Sequence, residues 1–101
     1  MYGRIGRMVA RAGRRDELIE ILLEGSADLP GCRSYVVARD AEDQDGLWIT
    51  EVWEDRESHR ASLELPAVRD AIARGRPLIA SVGRQVETEP VLDADTASPA
   101  P

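Results

Sequence analysis

The segment 47–59, Leu-Trp-Ile-Thr-Glu-Val-Trp-Glu-Asp-Arg-Glu-Ser-His, holds both tryptophans and the single histidine of the chain. A free imidazole, with a pKa of about 6.5, accepts a proton near neutrality. An indole offers a large, rigid apolar wall with one N–H to satisfy. Glu51 adds a carboxylate two residues before Trp53, on the same side of an extended chain. Together these groups can hold a weakly acidic ring and remove its proton, with His59 as candidate base and Trp53 as candidate wall. On a helix, Ser62 and Leu63 share the face of His59, so the three point together. The same residues also fit plainer roles: Trp53 as core, His59 as a helix surface residue. A buried Glu51 needs a partner such as Arg7 or Arg84, or must stay protonated. Tyr35 brings a hydroxyl able to bond a substrate oxygen, and Arg84 or Arg7 a guanidinium able to steady an anion.

Composition narrows the classes. At 101 residues the chain makes one domain, and 43% hydrophobic content is that of a folded protein. The net charge of −6 disfavours nucleic acid and anionic membrane as partners. All basic residues are arginine, which excludes lysine Schiff-base chemistry and a Walker-type phosphate loop. Asparagine and phenylalanine are absent too. Cys32 is alone, so it forms no intrachain disulfide and no thiolate metal cluster. No metal site is expected, because one histidine and one cysteine do not make a nitrogen-rich set, and Glu54, Asp55 and Glu57 read as helix N-terminal charges. The start Met-Tyr-Gly-Arg lacks the apolar run of a leader peptide, no stretch is long enough for a bilayer, and a cytoplasmic location is the default expectation.

The elements that would carry these groups follow from periodicity. Alternation predicts a strand over 2–11. Gly13 punctuates, Asp16 and Glu17 suit a helix start, and Leu18, Ile21 and Leu22 form its stripe as far as Gly25. Leu29-Pro-Gly31 turns into a second strand over 32–39, and Asp45-Gly46 joins it to a third over 47–53. Asp55 is placed to cap a short helix reaching Leu63 or Glu64. Pro66 opens another with Val68, Ala71 and Ile72, bent at Gly75 and Pro77. A fourth strand over 82–89 sets Val82, Val86 and Thr88 on one side and Gln85, Glu87 and Glu89 on the other. The order β-α-β, β-α-β indicates an α+β, ferredoxin-like fold: an antiparallel four-stranded sheet with helices on one face. Residues 1–90 form this domain, and 91–101 a mobile C-terminal tail.

Strand three carries Leu47, Ile49 and Trp53 on one side and Trp48 and Val52 on the other; strand two carries Tyr35 and Val37 against Val36 and Ala38. Both faces are apolar, and helices cover only one. The expected consequence is a homodimer with two sheets packed face to face and Trp48 in its core. The alternative is that the tail folds over the second face.

These pieces resemble a known family. Pro30-Gly31-Cys32 opening strand two, Glu51-Val-Trp53-Glu-Asp closing strand three, His59-Arg-Ala-Ser-Leu63 and Pro66-Ala-Val-Arg-Asp-Ala-Ile72 are similar to the antibiotic biosynthesis monooxygenase domain proteins, over roughly Tyr2 to Pro90. The resemblance implies a dimeric α+β barrel with a pocket between helices and sheet. It implies a cofactor-independent oxygenase acting with dioxygen on a small electron-rich phenol, anthrone or quinol. It implies Trp53 as a pocket residue and a substrate contact at the position of His59; the residue chemistry above adds Tyr35, Glu51, Ser62, Leu63 and Arg84 as candidate substrate-binding residues. Ser62 stands where many members carry a histidine, and the pocket asparagine of some members has no counterpart. A haem-degrading enzyme with His59 as axial ligand, and a non-catalytic dimeric module binding a small aromatic molecule, are the alternatives on the same fold.

Overall fold

The computed structural model describes residues 1–91. Its elements run β1 (Tyr2–Ala10), α1 (Arg15–Gly25), β2 (Cys32–Arg39), β3 (Gly46–Trp53), α2 (Arg56–Ser62), α3 (Pro66–Gly75), a 3₁₀ turn (Arg76–Leu78) and β4 (Ile79–Thr88). The strands form one sheet in the order β2-β3-β1-β4, every neighbour antiparallel. In each β-α-β half the two parallel strands are split by a strand from the other half, as in the ferredoxin-like fold. The mobile tail expected over 91–101 falls almost wholly outside the described residues.

Local chemistry accounts for most boundaries. Asp55 has extended backbone, and its side chain accepts from Ser58 N–H at 2.7 Å, capping α2. Pro66 occupies the first turn of α3, where its missing N–H costs nothing. Leu29-Pro-Gly-Cys32 is a hydrogen-bonded turn with Gly31 at φ 80° and Cys32 N–H on Leu29 C=O at 3.0 Å, the arrangement Pro-Gly favours. Gly31 also lies against α2: a Cβ there would come within 2.6 Å of Ser58 Cβ. Its carbonyl accepts from Glu54 N–H at 2.8 Å. The turn thus seats the helix that carries His59.

Helices cover one face. Leu18 and Ile21 of α1, Ala71 of α3 and Leu78 close on Ala10, Leu47 and Ile49 of the sheet. Gly25 lets α1 approach α3, since a Cβ there would sit 2.6 Å from that of Ala71. Tyr2 and Trp53 are equally buried but lie outside this cluster, at the α2 end of the sheet.

The fourth strand differs from the sequence expectation. It begins at Ile79, directly after the 3₁₀ turn, and the register against β1 slips twice. Met8 faces Val82 but Gly6 faces Gln85, so an extra residue is taken up between them. Val82 therefore lies on the helix face, while Val86, opposite Ile5, lies on the other; the two were expected together. A bulge reverses side-chain parity, and strand alternation alone carries no sign of it. The second face also differs from a uniformly apolar surface. Ile5, Val36, Trp48, Val52 and Val86 share it with Arg7, which binds Asp40 at 3.1 Å and Asp43 at 2.9 Å. Among the described residues no helix lies over this face.

The seat of α2 is testable. Gly31→Ala adds a backbone penalty of about 1–2 kcal/mol for the left-handed conformation and a clash with Ser58. Gly13, at φ 76° with open space around it, pays only the backbone part. Urea unfolding is expected to show Gly31→Ala as the more destabilising of the two.

Candidate active site

Between the helices and the sheet lies a cavity of about 660 Å³. It separates the two buried groups: Leu18, Leu22 and Ala71 line it from one side, Trp53 and His59 from the other. A volume of this size accommodates a multi-ring molecule.

The register of the sheet builds the floor. Tyr35 pairs with Glu51, Glu51 with Arg4, and Arg4 with Glu87, giving one row across all four strands on the helix face. Cys32, Trp53 and Tyr2 form the next row. Above it α2 delivers His59, whose ring meets Trp53 nearly edge-on, centroids 5.4 Å apart and planes at 75°, and Tyr2 at 5.7 Å. Trp53 is 1% exposed. Its indole N–H donates to Glu51 Oε1 at 3.0 Å, which fixes both side chains.

Glu51 finds neither of the partners suggested by the sequence. Arg7 is on the opposite face, engaged by Asp40 and Asp43, and Arg84 is exposed on β4 and does not line the cavity. The cation beside Glu51 is Arg4, with 4.0 Å between Nε and Oε2. Arg4 also donates to Tyr2 Oη at 3.1 Å, Tyr2 donates to Glu87 at 2.6 Å, and Arg56 pairs with Glu87 at 2.9 Å. Sequence reasoning passed over Arg4 because nothing local distinguishes it from the other arginines; the β1–β3 register selects it.

Electrostatics follow from burial. Loss of water pushes Glu51 above the usual carboxylate range, opposed by the Trp53 hydrogen bond and the charge of Arg4. Burial lowers His59, and Arg4 and Arg56 lower it further against an opposing pull from Glu87. The imidazole is therefore neutral at pH 7. Burial raises the Tyr35 phenol, with Glu51 adding to the effect, so it stays protonated and able to donate. Cys32, whose thiol lies 3.5 Å from Ser34 C=O, is raised by burial as well and is no reactive thiolate.

Of the residues singled out from sequence, Trp53, His59, Tyr35, Glu51, Ser62 and Leu63 all line the cavity, whereas Arg84 and Arg7 do not. Ser62 is buried, its hydroxyl donating to His59 C=O at 2.6 Å, so it braces the helix rather than presenting a free donor. Trp48 lies on the opposite face with its indole N–H on Asp40 at 3.1 Å.

Fold and cavity define the class: a ferredoxin-like α+β protein with an aromatic pocket under its helices. The chain belongs to the antibiotic biosynthesis monooxygenase family, whose model matches residues 1–74. It is similar to a protein of Chloroflexus aurantiacus J-10-fl named for the same family, at 60% identity and TM-score 0.89, covering 91% of this chain and 94% of that one. The fold recurs at 22% identity in Rv0793 of Mycobacterium tuberculosis, with TM-score 0.76, 92% of this chain and 97% of that one. No curated protein matches the chain. No helix among the described residues is long and apolar enough to cross a membrane.

Two titrations check this environment. The depressed His59 pKa means the unfolded state binds more protons than the folded one just below pH 6.5. Stability from this group is therefore complete above that pH and falls as pH drops toward the folded value. His59→Gln is expected to flatten that part of the stability–pH curve, and proton NMR to show the single imidazole titrating below its ordinary range. Glu51→Gln keeps an acceptor for Trp53 and removes a buried charge, so stability at pH 7 is expected to hold or rise in urea unfolding.

Proposed function

We propose that the protein is a cofactor-independent monooxygenase that converts an electron-rich phenol, anthrone or quinol to a quinone with dioxygen. The observation that carries this reading is a neutral imidazole set edge-on to a buried tryptophan in a mostly apolar cavity, with Arg4 and Tyr35 within the same floor. Family membership supports a monooxygenase-type role in general.

Dioxygen reacts slowly with a closed-shell aromatic because the change of spin is forbidden. An ionised substrate transfers one electron readily, and the resulting pair recombines to a carbon-bound peroxide. In an anthrone, O–O cleavage with loss of the remaining carbon-bound hydrogen then gives the quinone. One oxygen atom stays in the product, the other leaves as water, and the substrate supplies all four electrons. His59 accepts the first proton, a role worth on the order of 10²- to 10⁴-fold in rate. Trp53 supplies the wall of the slot, Arg4 steadies the anion, and the Tyr35 hydroxyl donates to an oxygen of the ring. The apolar lining keeps the radical pair from water.

The active form is a homodimer in this reading. The sheet face away from the helices leaves Val36 51% and Trp48 39% exposed beside Ile5, Val52 and Val86, a surface suited to a second copy.

Oxygen-electrode measurements with anthrone test the chemistry. Uptake with wild-type protein is expected, and His59→Gln should lower kcat/KM by about 10²- to 10⁴-fold. The wild-type rate should rise with pH as the imidazole loses its proton, with an inflection below the ordinary histidine value. Tight binding of anthrone and its quinone without any uptake would instead mark a binding module. For the assembly, Trp48→Glu is expected to shift the sedimentation coefficient from dimer to monomer; an unchanged wild-type monomer at all concentrations would overturn the dimer.

A further inference from the structure

The arginines of the described chain are almost all engaged. Guanidinium groups meet carboxylates, a tyrosine hydroxyl or backbone carbonyls at Arg4, Arg7, Arg11, Arg14, Arg15, Arg33, Arg39, Arg56, Arg60, Arg69 and Arg74. Only Arg76 and Arg84 have no such partner among the described residues. Arg84 lies away from the cavity, whereas Arg76 lines it. Arg76 is also exposed, and its neighbour Arg74 is already neutralised by Glu24 and Asp70 at 2.8 and 2.9 Å.

Arg76 stands at the end of the cavity remote from His59. Arg4 marks the His59 end of β1, and Ala10, six residues on, pairs with Ile79, which follows the 3₁₀ turn begun by Arg76. Six strand residues span about 20 Å. That separation leaves room between the two ends for a molecule of several rings. The lining between them is apolar: Met8, Leu18, Leu22, Ala71, Ile79 and Val82. The cavity is thus a slot with a polar, proton-accepting end, an apolar middle and, at its far end, a cation with no carboxylate partner among the described residues.

We infer that the substrate is a rod-shaped aromatic acid, with its reactive hydroxyl or ring CH at His59 and Trp53 and a carboxylate at the opposite end held by Arg76. An Arg fork takes a carboxylate in a two-point, charge-assisted arrangement. No acidic side chain of the described chain competes for it. At the His59 end the cation Arg4 is already shared with Glu51, whereas Arg76 faces no carboxylate among the described residues, so the acid end of the molecule is drawn to Arg76. This inference rests on the oxygenase reading for the orientation of the ring but not for the binding preference itself.

The probes are 6-hydroxy-2-naphthoate, its methyl ester and 2-naphthol, measured by titration calorimetry on the full chain. Wild-type protein is expected to bind the acid about tenfold more tightly than the ester, the scale of one partly exposed charge-assisted hydrogen bond. That preference should shrink as salt is raised. Arg76→Gln should abolish it while leaving ester affinity unchanged, and Arg84→Gln should leave it intact. With any carboxylated aromatic that is turned over, Arg76→Gln should raise KM about tenfold at constant kcat, the mark of binding remote from the chemistry. Equal affinity of the wild type for acid and ester, or a preference that survives Arg76→Gln, overturns the inference. Should Arg76→Gln fail to fold, the same acid–ester comparison on Arg76→Met and Arg76→Lys decides: the first should lose the preference and the second keep part of it. Oxygen uptake without an acid preference removes this inference alone; an acid preference without uptake removes the oxygenase reading alone.

Discussion

The site depends on one register: β1 antiparallel to β3 with Tyr2 opposite Trp53 and Arg4 opposite Glu51. Because side chains alternate at every residue, a slip of one position would send Arg4 to the far face and leave the Glu51 carboxylate under the helices without a cation. The register is held on both sides. Leu47 and Ile49 must stay in the core with Leu18, and β1 is pinned between β3 and β4. Hydrophobic burial at one end of the sheet thus positions charge at the other.

That placement makes the protonation states of the pocket useful. Removing water disfavours charge on every titratable group, yet the groups respond in opposite directions. The carboxyl of Glu51 rises, the imidazole of His59 falls, and the phenol of Tyr35 rises. At neutral pH the same pocket is lined by an uncharged imidazole and a protonated phenol. A base and a donor coexist because burial keeps charge off both, with Arg4 and Arg56 further discouraging a proton on His59 and the Glu51 carboxylate, tied by Trp53, further discouraging charge on Tyr35.

The two faces of the sheet divide the labour. On the helix face, α1 and α3 pack closely through Gly25 and Ala71, whereas α2 is held away by the Gly31 turn, and the cavity is the space left between them. On the opposite face no side chain of the row lines the cavity. Arg7, Asp40, Asp43 and Trp48 form a hydrogen-bonded cluster at one edge of an apolar surface. A fixed polar cluster beside an apolar patch supplies orientation as well as area to whatever packs there.

Periodicity and turn chemistry determined the element order, the antiparallel four-stranded plan and nearly every boundary, because Pro-Gly, Asp-Gly, Asp55 and Pro66 act within a few residues of where they stand. They also brought Trp53, His59, Ser62 and Leu63 together, since one strand-to-helix junction carries all four. What they left undetermined is long-range. The bulge in β4 that parts Val82 from Val86 arises from pairing with β1, not from alternation within β4. The partner of Glu51 is Arg4 rather than Arg7 or Arg84 because strand register, which is a property of two segments at once, decides which arginine crosses from it. Arg76 looks like any other arginine in the sequence, and only the fold shows that it lies beside the cavity with no carboxylate partner among the described residues.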